Sequence, residues 1–188
     1  LNSGDIQVSY HAEDDADSKE YAWPFIETEK NGVKCLKASN QGIDSSFGVI
    51  YAEATLKKGQ ALGLDYLISS ETGSDTFVVI VNGEDIFTIS GVNEKEKWEQ
   101  CYPVVADKDG TYQIALFYLK DESNAAGDDT VYIKNVRVID AKNIDTATYL
   151  PREAATSEDG FKYNYVDIVF NSKDGYYHVG TADGPLLL

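Results

Sequence analysis

Apolar and polar positions alternate along most of this chain in short segments that are separated by polar turns. Strict alternation over four to eight residues predicts a half-buried β-strand. The clearest case is the segment 61–68, which places four large apolar side chains on one face: Leu62, Leu64, Tyr66 and Ile68. Similar patterns predict nine further strands, at 6–10, 23–28, 32–38, 47–55, 77–81, 85–89, 98–105, 111–119 and 130–139.

Turn dipeptides lie between many of these segments. Asn-Gly and Asp-Gly supply the positive φ angles that tight hairpins need. They occur at 31–32, 82–83, 109–110, 159–160, 174–175 and 183–184. No window has a convincing helical period, and the charged segments 12–20 and 94–97 are predicted to be loops. Recurrent short strands with turn signals predict an all-β protein built as an antiparallel jelly-roll β-sandwich.

The residue composition of the chain changes near residues 141–143, which suggests a domain boundary. We expect the sandwich to occupy residues 1–140. Residues 141–188 form either a β-hairpin appendage or the start of a following domain, with 163–170 pairing with 176–180. Two or three strands cannot easily build a core of their own. The apolar end at 185–188 further suggests that the native protein continues.

A second set of apolar residues lies on the opposite side of the predicted core strands. A solvated face of an antiparallel sheet is normally polar. This face is therefore expected to be covered, through residues such as Val166, Ile168 and Phe170 of the C-terminal segment, or to be a binding surface. Its members are Leu67, Val78, Ile80, Phe117 and Leu119.

The charge balance excludes several partners. The chain has 32 acidic against 16 basic residues, a formal net charge of −16. Such a chain repels nucleic-acid phosphates and anionic membrane surfaces. No segment approaches the length of about 20 apolar residues that a membrane helix needs. We therefore expect neither nucleic-acid binding nor membrane insertion.

Cys35 and Cys101 are the only thiols. A bridge between them would close a long loop and stabilise the fold by roughly 4 kcal/mol in the chain-entropy model. The alternative is two separate buried thiols that act as small apolar residues. Both interpretations are open at this point, and we expect the fold to tolerate replacement of both cysteines.

Catalytic motifs are missing. The two histidines, His11 and His178, are in no metalloprotease motif, and there is no nucleophile elbow or phosphate-binding glycine loop. Carboxylate pairs suited to a glycosidase occur by chance among so many acids. We predict no catalytic residues and a protein that is not an enzyme.

Several short motifs resemble a known group of proteins in their order and spacing. They include 37–46, Lys57-Lys58-Gly59, Val81-Asn82-Gly83, Trp98, and the run from Gly127-Asp128-Asp129 into the last long strand. Across about 23–140 the chain resembles bacterial jelly-roll modules related to cleaved-adhesin and MAM-type domains. The resemblance implies a secreted or cell-surface location, attachment to other domains of the same chain, and a role in adhesion or carbohydrate binding.

Related modules hold a structural Ca²⁺ with an Asp on the final strand. The residue at that position here is Lys134. An ammonium group cannot ligate Ca²⁺, which needs oxygen ligands, so no cofactor is expected from this resemblance. Asp44, Asp128 and Asp129 remain as candidate metal ligands, although loop Asp residues are more often turn formers.

Trp23 and Trp98 are the candidate ligand-binding residues, because a tryptophan ring can pack against a sugar. The alternative is that each belongs to the core. The function predicted from the sequence is a non-catalytic extracellular module that binds a glycan or a host surface protein. The alternative function is an ancillary domain of a secreted hydrolase whose catalytic part lies outside this chain.

Overall fold

The computed structural model of the protein describes residues 6–11, 22–93, 97–144, 167–171, 176–181 and 184–185, and its side chains at 6, 22–93 and 97–144. Apart from one short 3₁₀ turn at Ala141–Asn143, all regular structure in these residues is β. They contain no helix long and apolar enough to span a bilayer. The chain divides into two compact units, Leu1–Ile139 and Asp140–Leu188.

Two sheets form the first unit, and this confirms the predicted jelly-roll β-sandwich. Sheet I has the order β1-β5-β10-β7-β8, with β2 also paired to β5, and sheet II has the order β3-β4-β11-β6-β9. The strands of sheet I are β1 Ile6–His11, β2 Ala22–Trp23, β5 Phe47–Leu56, β7 Thr76–Val81, β8 Glu84–Ser90 and β10 Gly110–Leu119. The strands of sheet II are β3 Phe25–Lys30, β4 Val33–Ala38, β6 Gln60–Ser69, β9 Glu99–Val105 and β11 Thr130–Asp140.

The core lies between the two sheets and is built by alternation. All four residues predicted to share a face of β6 are buried in it, each 2% exposed or less. They pack with alternate residues of two strands of sheet I: Phe77, Val79 and Val81 of β7, and Ile114, Leu116 and Tyr118 of β10. Burial of such side chains stabilises the fold by about 1.5–3 kcal/mol each. The two-residue period of the sequence therefore determines which side chains face the core between the two sheets.

The segment predicted as one strand at 23–28 is two strands in two sheets. Pro24 separates β2, which pairs with β5 in parallel, from β3, which belongs to sheet II. Proline lacks the N–H that a continuous ladder requires, so it is found at strand ends and edges. The chain crosses between the sheets at this residue. This short parallel pair is also a departure from the predicted all-antiparallel pairing.

Two Asn-Gly dipeptides form tight hairpins. Asn31 and Gly32 join β3 to β4 with φ of 53° and 75°, and Asn82 and Gly83 join β7 to β8 with φ of 52° and 85°. Positive φ at both central positions defines the type I′ turn, whose twist matches that of the paired strands. The Asp-Gly at 109–110 has a different role, because the strands on either side of it, β9 and β10, lie in different sheets.

The apolar residues opposite the core do not form one face. Leu67 lies on the outer side of sheet II, packed with Cys35, Tyr132 and Trp98. Phe117 lies on the outer side of sheet I, packed with Phe47 and Val49. The prediction of a single surface for all five residues is wrong, because β6 is in one sheet whereas β7 and β10 are in the other.

The two cysteines are free and buried on opposite sides of sheet II. Cys35 belongs to the outer cluster around Leu67, whereas Cys101 lies in the core between the sheets. A side chain on each face of one sheet cannot bridge to the other without moving the backbone. Of the two alternatives, the structure selects separate thiols.

The second unit contains a small antiparallel sheet of β12 Asp167–Asn171, β13 Tyr176–Thr181 and β14 Gly184–Pro185. The predicted pairing of the first two strands is confirmed, with Ile168 opposite Val179 and Phe170 opposite Tyr177. Val166 lies outside the described residues. The expected packing of this segment against the sandwich stays a prediction.

Candidate functional site

The outer surface of sheet II carries polar and aromatic side chains from three adjacent strands. On β6, Leu64 and Tyr66 face the core, so Asp65 faces outward. Its partner in the register with β9 is Gln100. On the other side of β6 lies β11, which contributes polar residues near its middle. We name this surface the polar-aromatic face and define it by seven residues: Asp65, Trp98, Gln100, Tyr102, Lys134, Asn135 and Arg137.

Hydrogen bonds connect the polar groups of this face. The Asp65 carboxylate accepts bonds from Arg137 Nη1 at 2.9 Å and from Asn135 Nδ2 at 2.7 Å. Arg137 also donates to the hydroxyl of Tyr102 at 3.0 Å, and that hydroxyl donates to Gln100 Oε1 at 2.9 Å. Burial alone would lower the pKa of Arg137, but its bonds to Asp65 and Tyr102 outweigh burial and raise it. The guanidinium is therefore a permanent charge in a fixed orientation.

Gly63 makes room for this network. It lies two residues before Asp65 on β6, next to a register shift between Leu62 and Leu64. A Cβ atom at this position would lie 2.8 Å from the ring of Tyr102 and 3.4 Å from Arg137 Cζ. The contact with the ring is too close for carbon atoms, so the residue at 63 has to be glycine for the ring and the guanidinium to keep these positions.

Trp98 forms the aromatic end of the face. It directly precedes β9 and packs against Cys35, Leu67 and Tyr132, so its ring is half-buried. The ammonium of Lys134 lies 4.2 Å from the ring centroid, a cation–π contact. Arg137 makes a similar contact with Tyr102 at 5.5 Å. In a chain with a net charge of −16, this face therefore presents two cations and one carboxylate.

A groove of about 710 Å³ adjoins the face between β4 and β11. The two strands pair only at Tyr132 with Lys37 and at Ile133 with Leu36. Beyond that point Asn135 has a φ of 49°. The alternation of β11 is also interrupted here, because Ile133 and Val136, three residues apart, both pack in the core, as at a β-bulge. The groove is lined by charged and apolar residues from β3, β4 and β11, and it shares Lys134 and Asn135 with the polar-aromatic face.

A second polar group is enclosed at one end of the sandwich, and we name it the buried lysine cluster: Asp75, Lys120 and Asp129. The side chains of Lys120 and Asp75 are fully buried, and that of Asp129 is 5% exposed. Lys120 Nζ lies 3.0 Å from Asp75 Oδ2 and is in direct contact with Asp129 Oδ1. Burial would lower the pKa of Lys120, but its bonds to the two carboxylates outweigh burial and raise it.

The three residues predicted as metal ligands are not gathered at one ion site. Asp44 is exposed in a turn. Asp128 pairs with Lys30 and accepts a bond from the Tyr132 hydroxyl at 3.0 Å. Asp129 belongs to the buried lysine cluster. The part of the chain that the structure describes contains no group of three or more His, Cys, Asp or Glu side chains able to hold a metal, and a metal at these residues stays untested.

The two predicted ligand-binding tryptophans lie in different sheets. Trp98 is part of the polar-aromatic face of sheet II. Trp23 is on the short strand β2 of sheet I, half-buried. Its indole nitrogen is buried and has no hydrogen-bond partner among the described residues. The structure therefore does not bring them together as one aromatic platform.

Sequence reasoning missed most of the polar-aromatic face. Two signals were present. Asp65 is a lone charge within an otherwise apolar strand, and Arg137 is one of only two arginines in the chain. A charge that interrupts an apolar pattern needs a partner if it is buried. The pattern alone does not reveal that partner, because β6 and β11 are far apart in sequence.

No protein-family model and no curated protein sequence matches the chain. Solved structures similar to it include the secreted serine protease VesC from Vibrio cholerae, with 18% identity, a TM-score of 0.47, and coverage of 74% of this chain and 25% of that chain. This chain therefore spans only about a quarter of the protease.

Two carbohydrate-binding modules are also similar to the chain. A family 35 module from an environmental isolate has 13% identity and a TM-score of 0.30, with 63% of this chain and 88% of that chain covered. TmCBM27, described for its specific recognition of mannan, has 12% identity and a TM-score of 0.30, with 73% and 86% covered. These similarities identify no family, and the resemblance to cleaved-adhesin and MAM-type domains stays a prediction.

Proposed function

We propose that the Leu1–Ile139 unit is a non-catalytic carbohydrate-binding module and that the polar-aromatic face is its binding surface. The observation that carries the proposal is the combination, on one sheet face, of aromatic rings with oriented hydrogen-bonding groups. Small-molecule sites typically pair apolar or aromatic surface with a few placed polar groups. A sugar ring presents both kinds of surface, because its C–H bonds pack on aromatic rings and its hydroxyl groups donate and accept hydrogen bonds.

The network on this face favours binding because it is already ordered. Asp65, Asn135 and Arg137 hold one another in place, as their bond lengths of 2.7–2.9 Å indicate. Side chains that are fixed before binding lose little conformational entropy when a ligand arrives. Each of the three keeps donors or acceptors beyond those used within the network. These remaining groups would contact the hydroxyl groups of a sugar.

The thiols and the buried carboxylates also support a non-catalytic role. Burial raises the pKa of Cys101 to about 12 and raises that of Cys35. A nucleophilic cysteine needs a lowered pKa and access to substrate, and both thiols have the opposite properties. Asp75 and Asp129 are enclosed with Lys120 and do not reach the surface. The proposed role of the unit is therefore binding and not turnover.

We further propose that the module works outside a bacterial cell or at its surface, joined to other domains of the same chain. The sequence resemblance to adhesin modules supports this setting. The same face would serve an adhesin that binds a host glycan or an ancillary domain that directs a secreted hydrolase to its polysaccharide. The sequence flanking the gene would distinguish the two, since a catalytic domain in the same chain supports the second.

A glycan array that includes neutral and acidic polysaccharides tests the proposal, followed by calorimetry on any ligand found. Tyr102→Phe removes one hydroxyl from the network, and Arg137→Gln removes the guanidinium. Loss of a hydrogen bond to a charged group costs about 1.5–3 kcal/mol, so we expect Arg137→Gln to weaken binding roughly tenfold to a hundredfold.

Tyr51→Ala is the matched control. Tyr51 is an aromatic residue on the outer side of sheet I, 39% exposed, and its replacement should leave the affinity unchanged. Circular dichroism checks that each variant is folded. The proposal fails if no glycan binds, or if Tyr51→Ala weakens binding as much as Arg137→Gln does.

A further inference from the structure

The buried lysine cluster contains the groups needed for a covalent bond. Leu119 and Thr76 are opposite each other in the β10–β7 register, so Lys120 and Asp75 are the next residues along the two strands. Asp129 directly precedes β11 of sheet II and reaches the same ammonium. One amine and two carboxyl groups therefore meet at the junction of the two sheets.

We propose that Lys120 and Asp129 condense into an intramolecular amide bond, with Asp75 as the proton-transferring residue. The Nζ lone pair of Lys120 forms a bond to Cγ of Asp129, and one C–O bond of that carboxyl group breaks. Starting from ammonium and carboxylate, nitrogen keeps one of its three protons, and the other two leave with the oxygen as one water molecule. The reaction needs no oxidant, reductant or other co-reactant.

Hydrogen-bond donors around Asp129 polarise its carboxyl group, whose Cγ atom the Lys120 nitrogen would attack. Its Oδ2 accepts a bond from the backbone N–H of Gly42 at 2.6 Å, and its Oδ1 accepts one from the hydroxyl of Tyr118 at 3.2 Å. Donors aimed at both oxygens withdraw charge from Cγ and stabilise the negative charge that develops on oxygen when nitrogen adds. This is the arrangement by which preorganised donors promote acyl transfer in general.

Asp75 contacts the reacting amine and lies near the reacting carboxyl group. It accepts a hydrogen bond from Lys120 Nζ at 3.0 Å, and the Asp129 carboxyl group is close enough to add to the effect of burial on the pKa of Asp75. Burial raises the pKa of Asp75, so this carboxyl group can hold a proton at a higher pH than an exposed Asp. It can take a proton from the ammonium of Lys120, which frees the nitrogen lone pair, and return it to the departing oxygen.

Burial also favours the condensation over its reversal. The reacting groups are held together by the fold, and intramolecular geometry of this kind is equivalent to roughly 10⁵–10⁸ M of a free reactant. Three charges in a buried site have lost much of their hydration, so conversion of two of them into a neutral amide relieves that cost. The reaction occurs once in the lifetime of each molecule, so even a slow step would go to completion.

The bond would join the end of β10 in sheet I to the start of β11 in sheet II. It would enclose the loop of residues 121–128, most of which is exposed. Cleavage within that loop would then leave β10 and β11 covalently connected. This inference does not depend on what the polar-aromatic face binds.

Mass spectrometry of the intact, denatured protein tests the proposal. We expect a mass lower than that of the sequence by one water. Trypsin cuts an unmodified chain after Lys108, Lys120 and Lys134. With the amide present, it should not cut after Lys120 and should yield the single peptide 109–134, also lighter by one water. Succinimide formation at Asp109-Gly110 would remove the same mass but would leave Lys120 open to trypsin, and that result would overturn the proposal.

Variants separate the roles of the three residues. Lys120→Arg keeps the charge but lacks the nucleophilic amine, so its mass should equal that of its sequence. Asp75→Asn should slow or abolish the mass loss. Asp129→Asn should lose ammonia in place of water, because its leaving group is an amide nitrogen.

Lys142→Arg is the matched control, since Lys142 also pairs with an aspartate, Asp140 at 3.3 Å, but is 72% exposed. Its mass loss should equal that of the wild type. A wild-type protein of full mass that trypsin cuts after Lys120 contradicts the proposal whether or not the variants fold, and the cluster is then an ion pair only.

Discussion

Individual charged residues in this protein differ in how much water surrounds them, and this decides what each contributes. Lys120 and its two carboxylates are buried, so removal of the lysine charge would leave two buried carboxylates unpaired at a cost of about 3–5 kcal/mol. The pair of Lys30 and Asp128 is less enclosed, with side chains 14% and 37% exposed. Pairs in contact with water contribute about 1 kcal/mol or less.

The ion pair of Lys30 and Asp128 makes the free energy of unfolding depend on pH. The bond to Lys30 lowers the pKa of Asp128, and the Tyr132 hydroxyl acts in the same direction. A carboxyl group with a lowered pKa in the folded state stabilises the fold above its unfolded pKa, and this contribution is lost as pH falls through the folded value. We expect Lys30→Met to lower the free energy of unfolding by up to about 1 kcal/mol at pH 7.

This difference should begin to shrink as the pH falls through about 4, the pKa of an unperturbed Asp, and should vanish below the lowered pKa of Asp128 in the wild type, where the carboxyl group is protonated in both proteins. Urea denaturation of wild type and variant across pH 3–7 measures it. Lys142→Met, which removes an exposed pair with Asp140, serves as the control and should show no pH-dependent difference. A constant difference between Lys30→Met and wild type at every pH would mean that Lys30 acts through packing on Tyr132 and not through Asp128.

At the scale of elements, β6 is the strand that supports both the core and the polar-aromatic face of sheet II. All but its first residue are buried, because one face contributes to the core and the other lies under the polar-aromatic face. A strand buried on both sides tolerates little change in side-chain size. Gly63 is the extreme case, since two side chains from neighbouring strands occupy the space above it.

Gly63→Ala should displace Tyr102 and Arg137 and destabilise the fold by about 1–3 kcal/mol, the usual range for overpacking. It should also weaken any ligand that the polar-aromatic face binds. Gly110→Ala is the matched control on β10, where the nearest atom to the new methyl group is 4.0 Å away. Thermal denaturation of both variants measures the difference. Equal stability of the two would show that the ring of Tyr102 moves aside freely.

At the scale of the whole molecule, the sandwich is held by its core without a covalent link between its cysteines. Cys35 and Cys101 lie on opposite faces of sheet II and are 8% and 4% exposed. We expect a reducing agent to leave the melting temperature unchanged. A drop of many degrees on reduction would instead indicate a disulfide.

Cys101 should also resist thiol reagents until the protein unfolds, since burial raises its pKa to about 12 and reagents attack the thiolate. Double replacement of Cys35 and Cys101 by Ala should preserve the fold, with a loss of about 1 kcal/mol for each small cavity. Reagent labelling in native and denaturing buffer, together with urea denaturation of the double variant, measures both effects. Rapid labelling of Cys101 in the native protein would contradict its placement in the core.

The sequence by itself determined most of the strands, the tight Asn-Gly hairpins and the alternating residues of the core. These depend on local chemistry, because the alternation of Leu62 and Leu64 or the pair Asn82-Gly83 acts over a few residues. Only the tertiary structure decided which strands share a sheet, and therefore that Leu67 and Phe117 lie on different surfaces and that Asp65 meets Arg137. The same holds for Lys120, Asp75 and Asp129, whose contact depends on the packing of two sheets, because partners this distant along the chain leave no mark in a local pattern.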